Sequence, residues 1–584
     1  MISKIESIND YFRVPIYHID DKKELNENII TDLELVKTID SSSNCIYDYV
    51  FDISMSTCFS KKIIEQMPLY YTTDIVYLKE TQDLLKKLDT LEEKEEFIKD
   101  EEILNIWDEI KNDTGFKEKY CYIDWPFWEF LNNSEPFLQF MSIYNMASPV
   151  FSLFIPVIIL IVPFFIIKLK GLNLSVNEYI EVLKLVASNH ALGKVFTHFS
   201  SVSLEQKMYI AISAAFYVFS IYQNILTCIR FHNNMKKIHN YLEKIQMYID
   251  QTIIKMNKFL DYSKDLTSYK KFNETMYEKI EVLTFITDDI KKINNYKWSW
   301  SIKKIKEVGH VLKCFYQLYN NENYNSAIMY SFGFNGYLTN LNGLICNINN
   351  KKINYARFIN NNTDKANKFK QSYYATLTHK KHVKNTIELK KNIIITGPNA
   401  SGKTTILKTT LINIILTQQF GCGFYKSAKL KPYHYIHCYL NIPDTSGRDS
   451  LFQAEARRCK EIIDIINKTN NKENHICIFD ELYSGTNPEE AVIGATAFMD
   501  YLVKNKNVSC LLTTHFIDVC KNLEKNGSIQ NYHMETICDN NTLDFKYTYL
   551  IKKDISYVKG GIKILKDMNY PEEILQKIED NKNL

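Results

Sequence analysis

Glycine and proline are scarce in this chain of 584 residues, with 17 and 12 copies. A chain so poor in both, and with 45% hydrophobic residues, is not a low-complexity or disordered polypeptide. At roughly 100–200 residues per domain, the length predicts about three or four domains that each bury a core. Small disulfide-stapled proteins and single small binding modules are therefore excluded.

Paired cysteines, a strong net charge and a secretory signal are also missing. The 13 cysteines include no C-x-x-C pair, which argues against a zinc site or a disulfide framework and favours a reducing, intracellular compartment. A formal charge of +3 is too small to predict nucleic-acid binding by itself. Residues 1–20 carry charges throughout and have no apolar core of the kind found in a signal peptide.

Two long runs without charged residues are present, at residues 149–167 and 208–229. Each is long enough to cross a hydrocarbon layer of ~30 Å as a helix. Membrane insertion of the pair is the favoured interpretation. A re-entrant pair and two buried core helices stay open, and the buried pair is favoured by Pro156, Pro163, Gln223 and Asn224. Lys168 and Lys170 lie in the connecting loop, so the positive-inside rule opposes a simple hairpin with both ends in the cytosol.

A heptad pattern begins after the second run. Its apolar positions alternate steps of three and four: Met235, Ile238, Leu242, Ile245, Ile249, Thr252, Met256 and Phe259. This spacing predicts a helix with one apolar stripe, as in a coiled-coil arm.

A phosphate-binding loop follows the short β-type run at 392–396. It comprises Gly397, Pro398, Asn399, Ala400, Ser401, Gly402, Lys403, Thr404 and Thr405. The pattern is G-x-x-x-x-G-K-[ST] between a strand and a helix. Backbone N–H groups in such a loop wrap phosphates at a helix N-terminus, whose dipole favours anions. We expect Lys403 to reach the β and γ phosphates of ATP and Thr404 to hold Mg²⁺.

Two further apolar strands end in residues that suit the same site. The strand at 476–479 is followed by Asp480, expected to complete the Mg²⁺ shell through water, and by Glu481, expected to activate the attacking water. The strand at 508–514 is followed by His515, which can sense the γ-phosphate. Three parallel strands with helices between them predict a doubly wound α/β ATPase core.

These motifs resemble, in order, those of the MutS family, the mismatch-repair branch of the ABC-type ATPases. Further segments with the family's order are the signature-like stretch with Asp444, Gly447, Ser450, Phe452 and Glu455, the Walker B and D-loop residues 480–488, the histidine switch 513–516 and the C-terminal segment from Tyr547. The resemblance covers about residues 380–580. It implies a nucleotide sandwiched between two protomers, with Lys403 and Thr404 of one facing Ser450 of the other, so a homodimer or a close paralogue partner is implied.

The N-terminal half departs from this family pattern, because no mismatch-reading or connector domain is recognisable in it. Phe127-Trp128-Glu129 spells the Phe-x-Glu with which repair members wedge a mispaired base. Its aromatic neighbours, Trp125 and Phe130, favour an interfacial belt beside the apolar run. The expected organisation is an N-terminal helical region at 1–148, two apolar helices with a connecting loop at 149–229, a helical lever at 230–375 and a MutS-like ATPase domain with a C-terminal dimerisation segment at 376–584.

The leading interpretation is a Mg²⁺-dependent ATPase whose dimer forms a nucleotide-dependent clamp. The resemblance implies binding of mismatched or branched DNA in mismatch repair or recombination. The basic stretches 303–306 and 380–384 can contact phosphates, although solvated faces are more typical of such runs. The alternative is a membrane-anchored mechanical ATPase that acts on a protein or lipid partner without DNA. An ABC transporter is disfavoured, since two apolar runs cannot line a translocation path.

Overall fold

The structure, a computed structural model, describes residues 2–40, 42–88, 98–171, 175–189, 204–359, 366–440, 450–470, 472–525, 527–538, 545–558, 565–566 and 568–580. The chain divides into two compact units. The first unit comprises Met1–Glu95, Lys255–Lys279 and Met329–Leu584, and the second comprises Glu96–Ile254 and Ile280–Ile328.

Helices dominate the described residues before the phosphate-binding loop and alternate with strands after it. The α-helices are α1 (Ile2–Tyr11), α2 (Glu27–Asp32), α3 (Ile46–Val50), α4 (Cys58–Ile64), α5 (Ile75–Leu88), α6 (Asp100–Asn112), α7 (Phe116–Lys119), α8 (Glu135–Leu169), α9 (Val176–Asn189), α10 (Leu204–Ser263), α11 (Lys270–Ile290), α12 (Ile302–Asn320), α13 (Glu322–Asn349), α14 (Lys403–Phe420), α15 (Leu451–Lys468), α16 (Pro488–Val503), α17 (Ile517–Glu524) and α18 (Glu572–Asp580).

Strands are concentrated in the C-terminal part of the first unit. They are β1 (Lys22–Glu24), β2 (Tyr70–Thr72), β3 (Asn354–Phe358), β4 (Asn367–Ser372), β5 (Asn385–Leu389), β6 (Asn392–Thr396), β7 (Cys422–Gly423), β8 (Ser427–Leu430), β9 (Tyr435–Tyr439), β10 (His475–Asp480), β11 (Val508–Thr513), β12 (Ile529–Cys538) and β13 (Phe545–Lys553).

The central sheet of the first unit has six strands in the order β13-β12-β6-β11-β10-β9. All neighbours pair in parallel except β12 and β13, which are antiparallel. The strands of its centre are apolar along their length, as expected for a sheet covered on both faces; β6 is buried at every position. Phe479, Leu512, Met499 and Val519 join one buried cluster between this sheet and helices α15 to α17.

Helix α14 is almost wholly buried, although it carries several polar side chains. The amide of Gln418 donates to Tyr433 O at 2.8 Å, and that of Gln419 donates to Met67 O at 2.8 Å. Because these buried groups are hydrogen-bonded, their burial does not leave an unpaired donor. The helix that begins at the phosphate-binding loop is thereby fixed along its length.

A second sheet, with strand order β5-β4-β8-β3-β7, uses residues before the phosphate-binding loop. The region up to residue 375 was expected to be helical, but residues 354–358 and 367–372 form β3 and β4. Both strands pair with β8, which lies beyond α14 in the chain. This pairing joins distant segments, so the local pattern of the sequence could not indicate it.

The heptad pattern lies on α10, a continuous helix of 60 residues. All eight heptad positions from Met235 to Phe259 are at most 2% exposed. The predicted apolar stripe is therefore confirmed as a buried one.

The described parts of the two apolar runs lie in α8 and α10, and their side chains are exposed or half-buried. Within the part of the chain that the structure describes, one helical segment, Lys207–Ser263, is long and apolar enough to cross a membrane by length and composition, and none of its most apolar window is buried. On α8, Phe151, Phe154 and Val162 are 45–54% exposed. The alternative interpretation, two buried core helices, is therefore wrong for these residues, because the neighbouring described helices leave their faces uncovered.

Candidate nucleotide-binding site

Three neighbouring strands of the six-stranded sheet place the predicted site residues together. Strand β11 lies between β6 and β10, and all three run in parallel. Their C-terminal ends therefore meet at one edge, where ligands bind in open α/β sheets. The phosphate-binding loop follows β6, the acidic pair lies at the end of β10, and His515 follows β11.

The phosphate-binding loop owes its shape to backbone angles that few residues adopt. Gly402, which precedes the first turn of α14, has φ of 95°, and Gly397 has φ of 154°. A Cβ atom on Gly397 would lie 3.0 Å from Ser401 Oγ and 3.1 Å from Met534 Cβ, so the loop requires glycine there. Ala400 has φ of 60°, a conformation that is costly for a residue with a side chain. Such strain is typical of ligand-binding loops.

Lys403 bends back over this loop. Its ammonium group donates to Gly397 O at 3.1 Å and Pro398 O at 3.3 Å, and its Nζ lies 3.1 Å from His515 Nε2. The residue is only 5% exposed, and this burial lowers the pKa of Lys403, while the charges of Glu481 and Asp480 act in the opposite direction. The amine is thus held at the mouth of the loop by carbonyl oxygens that a phosphate can replace.

Asp480 is held by two hydroxyl groups. Thr404 Oγ1 donates to Asp480 Oδ2 at 2.8 Å, and Thr513 Oγ1 donates to the other carboxylate oxygen. A hydroxyl and a carboxylate side by side form the oxygen-rich donor set that Mg²⁺ prefers. The residues present therefore fit a magnesium ion between Thr404 and Asp480.

Glu481 and His515 form a contact next to Lys403. Their atoms Oε1 and Nε2 are 2.9 Å apart, and Glu481 Oε1 is also 3.9 Å from Lys403 Nζ. The hydrogen bond from His515, and then the charges of His515 and Lys403, hold the pKa of Glu481 below its usual value of 4.5. Glu481 also has a positive φ of 52°, a backbone conformation that is costly for a residue with a side chain and is typical of functional sites.

A buried hydroxyl in the loop gives an independent test of the fit to a nucleotide. Ser401 is 1% exposed, and among the described residues its Oγ has no hydrogen-bond partner. An unpaired buried hydroxyl is costly in a folded protein. A phosphate oxygen in the loop would supply the missing partner, so the residues fit a bound nucleotide.

A cavity of about 710 Å³ adjoins the loop, within the usual range for small-molecule sites. On one side it is lined by the loop residues Asn399, Ala400, Ser401, Gly402, Lys403, Thr404 and Thr405. On the other side it is lined by His382, Val383 and Tyr549, which lie in segments that the sequence singled out, and by Tyr373, Tyr374 and Leu377, which the motifs did not reveal. The rings of Tyr373 and His382 stack at 4.2 Å. No motif marks Tyr373 and Tyr374, so their place in the site became visible only through the fold.

Ser450 lies apart from these residues and does not line the cavity in the described part of the chain. It caps α15: its hydroxyl accepts from Gln453 N at 3.3 Å, and Gln453 Oε1 accepts from Ser450 N. Asp444 and Gly447 fall outside the described residues. The structure therefore places Ser450 at the N-terminus of a helix, and its predicted role toward a second protomer stays a prediction.

Glu455, one turn further along α15, joins the signature-like segment to the D-loop. Its carboxylate accepts from Ser484 N at 3.1 Å, Ser484 Oγ at 3.0 Å and Gly485 N at 3.2 Å. The glycine is required, because a Cβ atom at position 485 would lie 2.8 Å from Phe452 N. Two segments that the resemblance names separately are thus one hydrogen-bonded unit.

The Phe127-Trp128-Glu129 stretch has a different environment. Phe127 is 79% exposed, whereas the Glu129 carboxylate pairs with Lys117 at 2.8 Å and accepts from Tyr316 OH at 2.8 Å. The acidic residue that a mismatch wedge would use is therefore held by neighbouring side chains.

Comparison with known proteins agrees with this geometry over the C-terminal third. Residues 393–584 match the family model MutS domain V. This third of the chain is similar to MutS domain V. The chain is 30% identical over 210 residues to Endonuclease MutS2 of Fusobacterium nucleatum, covering 34% of this chain and 26% of that protein. It is 30% identical over 189 residues to MutS protein homolog 4 of Homo sapiens (31% and 20%), and 25% identical over 199 residues to DNA mismatch repair protein MutS of Persephonella marina (33% and 22%).

The chain thus spans about a quarter or less of the length of these relatives. The matched segment contains Lys403, Asp480, Glu481 and His515. A helical N-terminal region and mixed α/β sheets in the C-terminal part are consistent with a MutS domain V ATPase region.

Proposed function

We propose that the chain is a Mg²⁺-dependent ATPase with a P-loop doubly wound core, which works as a nucleotide-dependent dimeric clamp. The observation that carries the proposal is the convergence of Lys403, Asp480, Glu481 and His515 around a loop with an unsatisfied buried hydroxyl. The match to MutS domain V supports it, because members of this family are ATPases.

The chain's own residues divide the work of hydrolysis. Bound Mg²⁺ would neutralise charge on the phosphates. Lys403 exchanges the carbonyls of Gly397 and Pro398 for phosphate oxygens, and the N–H groups at the start of α14 bind the same anion. Glu481 orients and deprotonates the attacking water, and His515, which contacts both Glu481 and Lys403, couples the base to the phosphate end of the site.

Phosphate release by the purified full chain tests this assignment. We expect ATP turnover that needs Mg²⁺ and is abolished in Lys403→Ala, while Lys390→Ala, whose side chain is 68% exposed outside the cavity, hydrolyses ATP normally. Equal turnover by Lys403→Ala and the unmodified chain would contradict the assignment.

We also propose that the dimer engages mismatched or branched DNA, in mismatch repair or recombination. The support is the similarity to relatives named as DNA mismatch repair proteins. A gel shift with mismatched, branched and homoduplex DNA over a series of salt concentrations tests it. Tighter binding to mismatched or branched DNA that weakens steeply with salt is expected. No binding to any of these duplexes at low salt would refute the DNA role and leave the ATPase assignment intact.

A further inference from the structure

Helices α8 and α10 carry apolar side chains on their exposed faces and polar side chains where they face each other. A helix pair in water has the reverse arrangement. Polar groups meet between the two helices: Tyr217 OH donates to Ser152 O at 3.0 Å, and the Asn224 amide donates to Ser152 Oγ. The outward faces are apolar instead, with Phe216, Val218 and Phe219 at 56–68% exposed. Helix pairs in lipid show this arrangement, because polar side chains hydrogen-bond across the helix interface there.

The register of the two helices places the charge-free run of α10 level with the C-terminal part of a longer charge-free run on α8. Ser152 faces Asn224, and Met146 O accepts from Cys228 Sγ at 4.0 Å, so the helices are antiparallel. Continuing this register places Ile167 level with Met208 and Met146 level with Ile229. No charged residue occurs in either of these 22-residue segments, 146–167 and 208–229. We call them together the apolar slab.

The thickness of the apolar slab matches a bilayer. At 1.5 Å per residue, 22 helical residues span about 33 Å, close to the ~30 Å of a hydrocarbon core. At one end both helices regain charge in the sequence, at Lys168 and Lys207; at the other end α10 regains it at Arg230, whereas α8 stays uncharged back to Glu135. At the Lys168 end the two helices therefore regain charge at the same level, as expected where both leave the same hydrocarbon core.

An aromatic and basic collar lies at the Arg230 end. Trp298 Nε1 donates to His232 Nδ1 at 2.9 Å, and Trp300, 48% exposed, stacks on the same imidazole at 5.5 Å. The start of α12 is fixed beside α8 by Gln139, whose amide donates to Ile305 O at 2.6 Å. Tryptophan and basic side chains are enriched at the headgroup level of membrane proteins.

This collar differs from the predicted one. Trp125 and Phe130 were expected to form the interfacial belt, but Glu129 is bound to Tyr316, which lies 11 residues beyond Ile305 on α12. At 1.5 Å per residue this is about 16 Å further from the apolar slab. Trp298 and Trp300, which the sequence did not single out, lie closer to it.

We propose that α8 and α10 form an antiparallel hairpin that spans a lipid bilayer through residues 146–167 and 208–229, with Trp298, Trp300 and Arg230 at the headgroup level. The second unit thereby anchors the chain to a membrane. The polar contacts of Ser152 with Tyr217 and Asn224 hold the hairpin together inside the lipid.

Reconstitution of the full chain into phosphatidylcholine–phosphatidylglycerol vesicles tests the hairpin. We expect the protein to float with the vesicles, to remain there after washes with high salt and alkaline carbonate, and to be released by a mild detergent. Release by salt or carbonate would show surface attachment and overturn the proposal. A stable, detergent-free oligomer that ignores vesicles would also overturn it, since a second copy would then cover the slab.

Charge substitutions test whether the residues of the apolar slab are responsible for retention of the protein on vesicles. The double variant Phe216→Lys with Phe219→Lys places two charges in the slab and should lower vesicle retention by about tenfold or more. Met247→Lys is the matched control, because Met247 is a 44% exposed apolar residue of the same helix outside the slab; its retention should not change. Thermal unfolding in detergent checks that all variants fold. Equal retention of the double variant and the control would contradict the proposed span.

Discussion

At the scale of single residues, Lys403, His515 and Glu481 make consecutive contacts that lead from the phosphate-binding loop to the proposed base. Lys403 lies between the loop carbonyls and His515, and His515 lies between Lys403 and Glu481. A phosphate that draws Lys403 away from the carbonyls therefore also changes the surroundings of His515, the partner of the proposed base Glu481. The His515 imidazole therefore links Lys403, the proposed phosphate-binding residue, to Glu481, the proposed base.

The first prediction concerns Glu481. Glu481→Gln keeps the size of the side chain but removes the base, so we expect ATP to bind while hydrolysis falls by about 100-fold or more. Filter binding of labelled ATP and phosphate release measure the two steps separately. Glu489→Gln, at an exposed position in the first turn of α16, is the control and should hydrolyse ATP normally. Normal turnover by Glu481→Gln would show that another group activates the water.

The pH dependence of stability provides a second prediction at the same residue. The pKa of Glu481 is lower in the folded protein than its usual 4.5, because His515 donates to the carboxylate and Lys403 lies close. A lowered folded-state pKa adds stability above the unfolded-state pKa, and this stability is lost as the pH falls through the folded-state value. The contribution is therefore complete above about pH 4.5 and disappears below it.

Urea unfolding of the unmodified chain and of Glu481→Gln measures this contribution. We expect the gap between their midpoints to be constant above about pH 4.5 and to shrink as the pH falls below it. The difference in midpoint between the unmodified chain and Glu489→Gln should not shrink in this way. A gap that stays constant into strong acid would mean that the Glu481 carboxylate gains no stability from its neighbours.

At the scale of elements, the D-loop depends on α15. Glu455 is 2% exposed and receives three hydrogen bonds from Ser484 and Gly485. Ser450 and Gln453 cap the same helix one turn earlier. A displacement of this helix end is therefore transmitted directly to the segment that follows Asp480 and Glu481.

The third prediction concerns a variant that lacks the Glu455 carboxylate and so loses its hydrogen bonds to the D-loop. Glu455→Ala leaves the N–H groups of Ser484 and Gly485 without their acceptor, which should cost about 1–3 kcal/mol of unfolding free energy. Urea unfolding measures this loss, and phosphate release should fall with it because the D-loop is released. Glu461→Ala, on the same helix with its side chain 54% exposed, should change neither quantity. If Glu455→Ala unfolds like the Glu461 variant, the carboxylate does not hold the D-loop.

The elements also show which parts of the site and of the fold could be predicted from the sequence and which could not. Lys403, Asp480, Glu481 and His515 were predicted to share one site because each follows an apolar strand, and local patterns of this kind survive folding. The cavity wall of Tyr373 and Tyr374 could not be found in this way, since its residues belong to no spaced motif. Strands β3 and β4 were likewise missed, because their pairing with β8 depends on segments far apart in the chain.

At the scale of the whole molecule, Ser450 bears on the proposed dimer. It does not line the cavity of its own chain in the described residues, as a residue that completes a partner's site would not. If each site takes Lys403 from one subunit and Ser450 from the other, damage to the two residues can be complemented between chains.

The fourth prediction concerns dimers that form when two inactive variants are mixed. Homodimers of Lys403→Ala and of Ser450→Arg should both lack a working site. A dimer of one chain of each type retains one intact site, formed by Lys403 of the Ser450→Arg chain and Ser450 of the Lys403→Ala chain. Random pairing makes half of the dimers mixed, so phosphate release should recover to about a quarter of that of the unmodified protein.

Co-expression with two affinity tags isolates the mixed dimers, and their turnover should be about half that of the unmodified dimer if the two sites work independently. The control pairs an unmodified chain with one carrying both substitutions: each of its sites then contains one damaged residue, so it should be inactive. If sites were instead complete within one chain, this control would keep half its activity and the first pairing would have none. The two designs therefore give opposite results for a shared and an unshared site.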